Sequence, residues 1–285
     1  RKALYSPNTA TVDPYEVCQH LKNEIVSLGV GLHLNCPYRR HEGQRVYAGK
    51  WVFECGYLIN TAGLYADRIA RDFGFAKDYT ILPFKGLYMK YEKNNSDAAV
   101  NIYPVPSRHH PFLGVHFTKC ADGAIKIGPT AVPAFWRENY SGLARFRPGE
   151  MFTILPWLVK LWMADAFHFR SLAIEEFKKY RKRYLIGLAE QLVRQIDRRG
   201  FRKHLKPGIR AQLLHKKSLT LVQDFVVEGD SRSIHVLNAV SPAFTCSLPF
   251  SSYVVDLILQ YQGKGDMASD MSAASEQWNP QNQTA

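Results

Sequence analysis

Residues 56–75 constrain the fold most strongly, because they combine a short apolar strand, a tight turn and a helix in direct succession. Residues 57–59 form an apolar run typical of a buried strand, and residues 60–63 form a turn of small residues. Gly74 supplies a helix stop after three apolar residues at roughly helical spacing, Leu64, Ile69 and Phe73. The stretch predicts a strand that feeds a helix through a small-residue loop.

Such a corner directs unpaired backbone N–H groups and the positive end of the helix dipole toward one point. That point suits a phosphate or another anion. An ordinary turn in an α/β core explains the same residues equally well, because loops of this kind are common. Both interpretations stay open at this stage.

The chain of 285 residues carries 37 Lys and Arg against 25 Asp and Glu, a formal net charge of +12. This excess favours an anionic substrate, an anionic cofactor or a membrane surface as the partner. Nucleic acid is not expected, because the basic residues are spread out and no zinc-finger or RNA-binding motif occurs. The densest basic run, residues 178–183, predicts a solvated helix face, with peripheral membrane contact as the alternative.

The five cysteines form no CxxC pair and are odd in number. They predict buried free thiols in a reducing compartment, which is the cytoplasm or, for a eukaryotic source, the mitochondrion. No metal site is predicted. No apolar stretch approaches the roughly 20 residues that a membrane span requires. The sequence begins with Arg1, so we expect it to be part of a longer protein.

The first part of the chain predicts helices and strands in mixed order. An Asp-Pro pair caps a helix over residues 15–28, whose apolar face carries Val17, Leu21, Ile25 and Leu28. Strands are expected at residues 32–34 and 51–53. Residues 80–130 contain short apolar runs broken by Pro and Gly, a pattern typical of an antiparallel sheet with hairpins.

The second part predicts helices over residues 148–196, where apolar side chains recur at helical spacing. Strands follow at residues 208–214, 225–227 and 234–237. A loop of small residues at 238–245 leads to a last helix over residues 253–259. Residues 263–285 contain few apolar side chains and predict a disordered tail.

Together these landmarks resemble the FAD-dependent oxidoreductases of the D-amino-acid-oxidase superfamily, most closely the L-2-hydroxyglutarate oxidase/dehydrogenase group. Four segments carry the resemblance: residues 60–67, residues 82–88, residues 103–117 with 126–130, and residues 207–212 with 235–245. No single motif is specific, but their order and spacing together are.

The resemblance implies an α/β (α+β) fold, in which an incomplete FAD-binding Rossmann-like domain is interleaved with an antiparallel-sheet substrate domain and helices. Residues 1–79 and 207–262 would belong to the FAD-binding domain. Residues 80–206 would form the substrate domain, and residues 263–285 the tail.

The sequence departs from the family pattern in two respects. Lys85 stands where Arg is expected, and Leu87 where an acid is common, so 2-hydroxyglutarate itself is not fixed as the substrate. The family's GxGxxG loop, the acid beyond it and a histidine-bearing turn near the flavin do not occur in these residues. The chain resembles the carboxy-terminal majority of such an enzyme.

The resemblance implies FAD as the cofactor and hydride transfer from a small 2-hydroxy acid, which becomes the 2-oxo acid. The electron acceptor, oxygen or a quinone, stays open. Arg210 is the candidate for binding the substrate carboxylate, because its fork binds carboxylates in a bidentate manner that Lys cannot copy. A structural ion pair at a sheet edge is the alternative for Arg210.

The resemblance suggests four further candidates in the substrate domain. Lys85 is a candidate for holding a second carboxylate or lying near the flavin, with a solvated lysine as the alternative. Tyr103 and Thr130 are candidate hydrogen-bond donors to the substrate. His116 is the candidate catalytic histidine, and a satisfied core or edge histidine is the alternative.

The candidate flavin contacts lie in two loops, where small residues permit close backbone approach. They are Thr61, Ala62 and Gly63 in the first loop, and Val240, Ser241, Ala243, Phe244 and Thr245 in the second. Tight turns that pack a helix on a sheet are the alternative. The alternative function is a non-catalytic, truncated paralogue that binds a ligand or a partner, and a yellow preparation would separate the two.

Overall fold

The computed structural model describes residues 3–92, 100–105, 112, 114–240 and 243–263. Contacts divide the chain into two units. Unit 1 comprises Arg1–Leu34 and Pro83–Arg210, and unit 2 comprises Asn35–Leu82 and Ala211–Ala285. The sequence boundaries differ, since they group residues 1–34 with residues 35–79. A hydrogen bond of 3.0 Å from Asn101 Nδ2 to Thr11 Oγ1 ties the first segment to unit 1.

The helices, in chain order, are α1 (Pro14–Ser27), α2 (Ala66–Asp72), α3 (Pro148–Ala164), α4 (Phe169–Lys178), α5 (Lys182–Glu190) and α6 (Ser247–Tyr261). The strands are β1 (Tyr38–Glu42), β2 (Arg45–Ala48), β3 (Trp51–Glu54), β4 (Leu58–Asn60), β5 (Tyr79–Gly86), β6 (Met89–Tyr91), β7 (His116–Lys119), β8 (Ile125–Gly128), β9 (Val132–Pro133), β10 (Phe201–His204), β11 (Gly208–His215), β12 (Thr220–Leu221), β13 (Val226–Gly229) and β14 (Ser233–Asn238).

Helix α1 begins where the sequence predicts it. Asp13 Oδ1 accepts a hydrogen bond of 2.8 Å from the Tyr15 backbone N–H, and Pro14 occupies the first turn. None of the residues of α1 is buried. The predicted apolar face of this helix is therefore only partly covered by the described residues: Val17 and Leu21 are half-buried, and Ile25 and Leu28 are exposed.

Unit 1 is built around an antiparallel sheet of order β10-β6-β8-β7. Alternation along the strands directs one set of side chains into a core: Met89, Tyr91, Phe117, Ile127 and Phe201. Helix α5 covers that core with Leu185, Ile186 and Ala189. The antiparallel sheet expected within residues 80–130 is thus present. Of the runs expected at residues 99–100 and 113–115, Ala99 and Leu113 lie outside the described residues, and Val100, Gly114 and Val115 belong to no strand.

A charged pair is buried in the described part of unit 1. Lys179, at the end of α4, is paired with Glu176, and both side chains are buried. Glu176 Oε2 also accepts a hydrogen bond of 2.5 Å from the Ala131 backbone N–H. The prediction that residues 178–183 form a wholly solvated face is wrong at Lys179, because a buried acid stabilises its charge in the interior.

Unit 2 contains the antiparallel sheet β1-β2-β3 and the sheet β13-β14-β4, in which β14 and β4 run parallel. Helix α6 packs Val254 against Ile234 and Val236 of β14. Helix α2 packs Ala66 and Ala70 against the core around Leu237. The corner of β4 and α2 confirms the strand, turn and helix predicted for residues 56–75.

A third sheet has the order β12-β11-β5-β9. Its strands β5 and β11 each contribute residues to both units, because unit 1 resumes at Pro83 and ends at Arg210. The fold is therefore a mixture of helices and interleaved sheets, which confirms the predicted α/β (α+β) class.

Three sequence predictions need correction or lie outside the structure. The strand expected at residues 32–34 is wrong, because Leu32 and Leu34 are exposed and the first strand begins at Tyr38. All five cysteines are free, but Cys18 is exposed and the others are half-buried, so the predicted burial is wrong. The last helix is longer than predicted, and the tail beyond Gly263 lies outside the described residues.

Across the described part of the chain, no helix combines the length and the apolar character that a bilayer crossing requires. The same residues contain no cluster of three or more His, Cys, Asp or Glu side chains that could hold a metal ion.

Candidate functional site

A pocket of about 190 Å³ opens in unit 1, where β5 ends and β11 begins. Its walls combine aromatic side chains with backbone from three segments: Phe84, Gly86, Tyr88, Pro129, Thr130 and Arg210. Because it joins an apolar wall to a cationic side chain, the pocket can hold a small anion that also carries carbon.

Arg210 supplies the cation of this pocket. It is the third residue of β11, where the alternation of the strand leaves its side chain exposed, and its Cζ lies 5.3 Å from the ring centroid of Phe112. Partial desolvation lowers the pKa of Arg210, and the nearby Tyr88 and Glu176 oppose this shift. Among the described residues no carboxylate pairs with Arg210, so its fork is available to a ligand.

Tyr88 is a pocket residue that the sequence analysis did not select. Burial raises the pKa of Tyr88, and the neighbouring charge of Arg210 opposes that rise. The Lys126 ammonium lies 5.1 Å from the centroid of the Tyr88 ring. Tyr88 and Lys126 come together through the cross-strand register, in which Met89 of β6 pairs with Ile127 of β8. A single sequence does not reveal this register.

His116 lies at the start of β7 in the same unit. Its Nδ1 is 3.0 Å from the Gly114 carbonyl oxygen, so we assign the ring proton to Nδ1, which donates to that carbonyl. Burial lowers the pKa of His116, and the charges of Lys126 and Arg210 lower it further. The neutral ring therefore presents a lone pair on Nε2. The His116 ring also contacts the Tyr103 ring, with the two ring centroids 4.5 Å apart.

The structure does not bring Lys85 to the pocket wall. Lys85 is buried, its Nζ donates a hydrogen bond of 3.1 Å to Asn139 Oδ1, and desolvation lowers its pKa. The alternative of a solvated lysine is therefore wrong. Thr130 is also buried, and its hydroxyl is engaged: it donates to the Lys85 carbonyl at 2.9 Å and accepts from the Leu87 N–H at 3.0 Å.

In unit 2, Asn60 holds the corner between β4 and α2. Its Oδ1 accepts a hydrogen bond of 3.1 Å from the Ala62 N–H, and its Nδ2 donates to the Ala66 carbonyl at 2.9 Å. The first turn of α2 holds the buried Asp67, which pairs with Arg71 and accepts from the Ile81 N–H at 3.1 Å. A carboxylate therefore already occupies the start of the helix, which favours the ordinary turn over an anion site at this corner.

A larger cavity of about 410 Å³ lies in unit 2 beside this corner. The β-strand and helix walls are apolar, with Ile59, Val236, Phe250 and Val254. Three of the predicted flavin-contact residues line it: Thr61, Gly63 and Ala243. Gly63 has φ +53°, and a Cβ added there would have no atom within 4 Å. The backbone at Gly63 is therefore accessible from the cavity.

The other predicted flavin contacts are placed differently. The Ala62 N–H is already bonded to Asn60. Phe244 is 45% exposed, Val240 and Thr245 do not line the cavity, and Ser241 lies outside the described residues. The structure thus brings together residues from both predicted loops, namely Thr61 and Gly63 from the first and Ala243 from the second.

His235 was also not selected from the sequence. It is fully buried on β14, where Nδ1 accepts a hydrogen bond of 3.1 Å from Asn60 Nδ2 and Nε2 faces Ser233 Oγ at 3.1 Å. Burial lowers the pKa of His235 to about 4. The ring is therefore neutral at pH 7, and it joins β14 to β4 through its hydrogen bond with Asn60.

These features define an α+β class of protein with two interleaved units, in which one unit presents a cationic pocket and the other a small-residue cavity at the ends of parallel strands. The chain belongs to the DAO family, described as FAD dependent oxidoreductase, whose family model matches residues 1–240.

Curated relatives extend over most of the chain. It is 32% identical over 264 residues to the L-2-hydroxyglutarate dehydrogenase of Indibacter alkaliphilus, covering 90% of this chain and 65% of that protein. It is 33% identical over 294 residues to the mitochondrial L-2-hydroxyglutarate dehydrogenase of Nematostella vectensis, covering 89% and 60% respectively. The chain thus spans less than two thirds of the length of these two relatives.

A solved structure supports the fold. The L-alpha-glycerophosphate oxidase from Mycoplasma pneumoniae, dithionite-reduced and with FAD bound, superposes with a TM-score of 0.51 at 17% sequence identity. The match covers 78% of this chain and 49% of that chain. At this identity the likeness concerns the fold alone.

Proposed function

We propose that this chain carries the substrate pocket and part of the flavin site of an oxidoreductase that converts a small 2-hydroxy acid, similar to 2-hydroxyglutarate, into the 2-oxo acid. The observation that carries the proposal is Arg210, an accessible guanidinium in a partly aromatic pocket with no carboxylate partner among the described residues. The names of the curated relatives support the same substrate class.

FAD fits unit 2 in part. The cavity there is lined mainly by apolar and small residues, as a flat, largely uncharged ring requires, and Thr61, Gly63 and Ala243 would hold the flavin by close approach. When bound, FAD supplies the acceptor for the hydride that leaves the substrate α-carbon. No GxGxxG loop occurs in the sequence, so we assign no residue to the adenosine half of FAD.

Arg210 would bind and orient the carboxylate. Two parallel N–H···O bonds from one guanidinium fix the plane of a carboxylate, which also fixes the neighbouring α-carbon. The Phe112 ring, 5.3 Å from the Arg210 Cζ, limits water on one side of the guanidinium and so strengthens the charge interaction.

His116 would take the hydroxyl proton. Its neutral ring donates Nδ1–H to the Gly114 carbonyl, so the Nε2 lone pair can accept a proton while the α-hydrogen leaves as hydride. The proton and the hydride together account for the two hydrogens that a hydroxy acid loses on becoming an oxo acid. Tyr103, which packs on His116, would orient the ring.

Lys85 and Thr130 would act through the pocket wall. The Thr130 hydroxyl joins the Lys85 carbonyl to the Leu87 N–H, and this bridge fixes the backbone around Gly86. Lys85 in turn holds Asn139. We propose both as positioning residues and not as direct substrate ligands.

The electron acceptor and the compartment stay proposals. Either oxygen or a quinone would complete the reaction. The five free thiols support a reducing compartment. The organelle named for the Nematostella vectensis relative describes that protein. The basic run at residues 178–183 supports peripheral membrane contact less than the sequence suggested, because Lys179 of that run is buried.

A non-catalytic ligand-binding paralogue is the second candidate. The absence of a GxGxxG loop from the sequence favours it, because that loop supplies the pyrophosphate site in dinucleotide-binding folds. The retained pocket around Arg210 favours the enzyme instead.

The test is turnover of L-2-hydroxyglutarate by the chain supplied with FAD, followed with an electron-accepting dye, for the unsubstituted chain, Arg210→Lys and Arg202→Lys. Arg210→Lys keeps the charge and removes the fork, so we expect kcat/KM to fall by about 2–3 kcal/mol of transition-state stabilisation, with an unchanged flavin spectrum. Arg202→Lys, on the exposed strand β10, should behave as the unsubstituted chain.

Two results would count against the proposal. Bound flavin without turnover of any 2-hydroxy acid would favour the non-catalytic paralogue. Normal turnover by Arg210→Lys would show that Arg210 is structural and that the carboxylate binds elsewhere.

A further inference from the structure

Three lysines stand side by side across the central sheet of unit 1. The strand register pairs Lys203 of β10 with Lys90 of β6, and Lys90 with Lys126 of β8. We call these three residues the lysine row. Like charges directly opposite each other on neighbouring strands are destabilising, so a row of three demands an explanation.

The row lies on the face of the sheet that does not enter the core. Lys90 alternates with the buried Met89 and Tyr91, and Lys126 precedes the buried Ile127. Among the described residues, no Asp or Glu forms an ion pair with any lysine of the row. Glu92, the acid nearest to Lys90 in sequence, is exposed and likewise unpaired within that part of the chain.

One end of the row lies beside the wall of the substrate pocket. The Lys126 ammonium lies 5.1 Å from the centroid of the Tyr88 ring, and Tyr88 lines the pocket that contains Arg210. The charges of Lys126 and Arg210 both lower the pKa of His116. The pocket thus has one cation within it and a second cation across a single aromatic ring.

Two explanations compete for this arrangement. A solvated face would explain exposed lysines, but Lys90 and Lys126 are half-buried, which limits screening by water. An anionic occupant explains both the missing counter-charges and the position beside Arg210. The occupant must be small, because the pocket holds about 190 Å³.

We propose that Lys126 binds the second carboxylate of a dicarboxylic 2-hydroxy acid whose first carboxylate is held by Arg210, and that Lys90 and Lys203 extend the same positive field. This inference rests on the proposed function, since it takes Arg210 as the first anchor. It replaces Lys85, which is buried against Asn139, as the residue that selects a diacid.

The experiment compares binding of 2-oxoglutarate, a diacid, with binding of 2-oxobutyrate, a monoacid, by isothermal titration calorimetry. The unsubstituted chain should prefer the diacid by roughly tenfold or more, the scale of one charge-assisted hydrogen bond. Lys126→Met should reduce that preference to within about threefold while the affinity for 2-oxobutyrate stays unchanged. Lys126→Arg keeps a cation and should retain most of the preference.

Lys160→Met is the matched control. The Lys160 ammonium also lies over an aromatic ring, 5.3 Å from the Trp157 centroid, but it is on helix α3. Its substitution should leave both affinities unchanged. Circular dichroism spectra of all variants verify that they are folded. If Lys126→Met unfolds, the diacid preference of Lys126→Arg tests the role of Lys126.

The outcomes separate the inference from the proposed function. An undiminished diacid preference in Lys126→Met, or a preference lost in Lys126→Arg as well, would overturn the role of Lys126 while leaving Arg210 in place. Equal binding of the two acids by the unsubstituted chain would overturn the diacid assignment. Binding of neither acid would contradict the proposed function, and the inference with it.

Discussion

The pockets of the two units differ in charge. In its described part, unit 1 leaves Arg210 and Lys126 without acidic partners, while it buries Glu176 paired with Lys179. The cavity of unit 2 is mostly apolar, and the buried charge of Asp67 nearby is paired with Arg71. The difference supports our proposal that unit 1 binds an anion and unit 2 a largely uncharged surface.

This comparison also explains why similar residues have different roles. A cation without an acidic partner is costly unless water or a ligand solvates it, which is why we propose the accessible Arg210 as a binding group. A buried cation with a partner, such as Lys179, is structural. Residue type alone does not distinguish these cases, whereas the contacts do.

The largest effect should come from breaking the buried pair of unit 1. Lys179→Ala leaves the Glu176 carboxylate buried without its cation, so we expect the free energy of unfolding to fall by about 3–5 kcal/mol. Urea denaturation measures the change. Lys178→Ala, at the exposed neighbouring position, is the control and should change stability by less than about 0.5 kcal/mol. Equal effects of the two substitutions would show that the buried pair is not special.

The second prediction concerns protonation of the buried His235 in unit 2. The pKa of His235 is about 4 in the folded protein and about 6.5 in an unfolded chain. As pH falls from about 6.5 to about 4, the unfolded state takes up the proton first, so stability is lost over that window, by up to about 3 kcal/mol. Stability is fully present above about pH 6.5.

Urea denaturation at several pH values checks this prediction. His235→Gln removes the titrating ring and should flatten the pH dependence between about pH 4 and 6.5, although it also lowers stability at neutral pH. His20→Gln, on the exposed face of α1, should leave the pH dependence as it is. An unchanged slope in His235→Gln would assign the acid sensitivity to other groups.

The smallest expected effect is the salt dependence of ligand binding, which tests the difference in charge between the two units directly. Binding of 2-oxoglutarate to unit 1 should weaken by roughly three- to tenfold between about 0.02 M and 0.5 M salt, because salt screens exposed charges. Binding of lumiflavin, an uncharged flavin ring, should be insensitive to salt over the same range. Calorimetry and flavin fluorescence measure the two. A flavin affinity that falls as steeply would mean that unit 2 also binds through charge.

Local signals were sufficient to predict several elements from the sequence. The Asp-Pro start of α1 and the small-residue corner after β4 depend on residues within one turn of each other. The antiparallel sheet of unit 1 follows from alternation and from Pro and Gly punctuation. The apolar run at residues 32–34 does not form a strand, because Leu32 and Leu34 have no partner strand in the described structure.

A single side chain can suggest a site role from sequence. Arg210 is an example, since a guanidinium recognises carboxylates wherever it is accessible, and its role stays a prediction. The burial of Lys85 was not predicted, because its partner Asn139 lies 54 residues further along the chain. Lys126 and Tyr88 meet only through strand register, and His235 meets Asn60 across 175 residues. Long-range pairing of this kind cannot be inferred from a single sequence.

The parallel pairing of β4 with β14 has a consequence for how the chain is made. Asn60 can form its hydrogen bond with His235 only after a further 175 residues have been synthesised. At about 5–20 residues per second, a ribosome needs roughly 9–35 s to synthesise that interval. During this time the edge of β4 has no partner from its own sheet, so nascent chains should be most vulnerable to aggregation before β14 emerges.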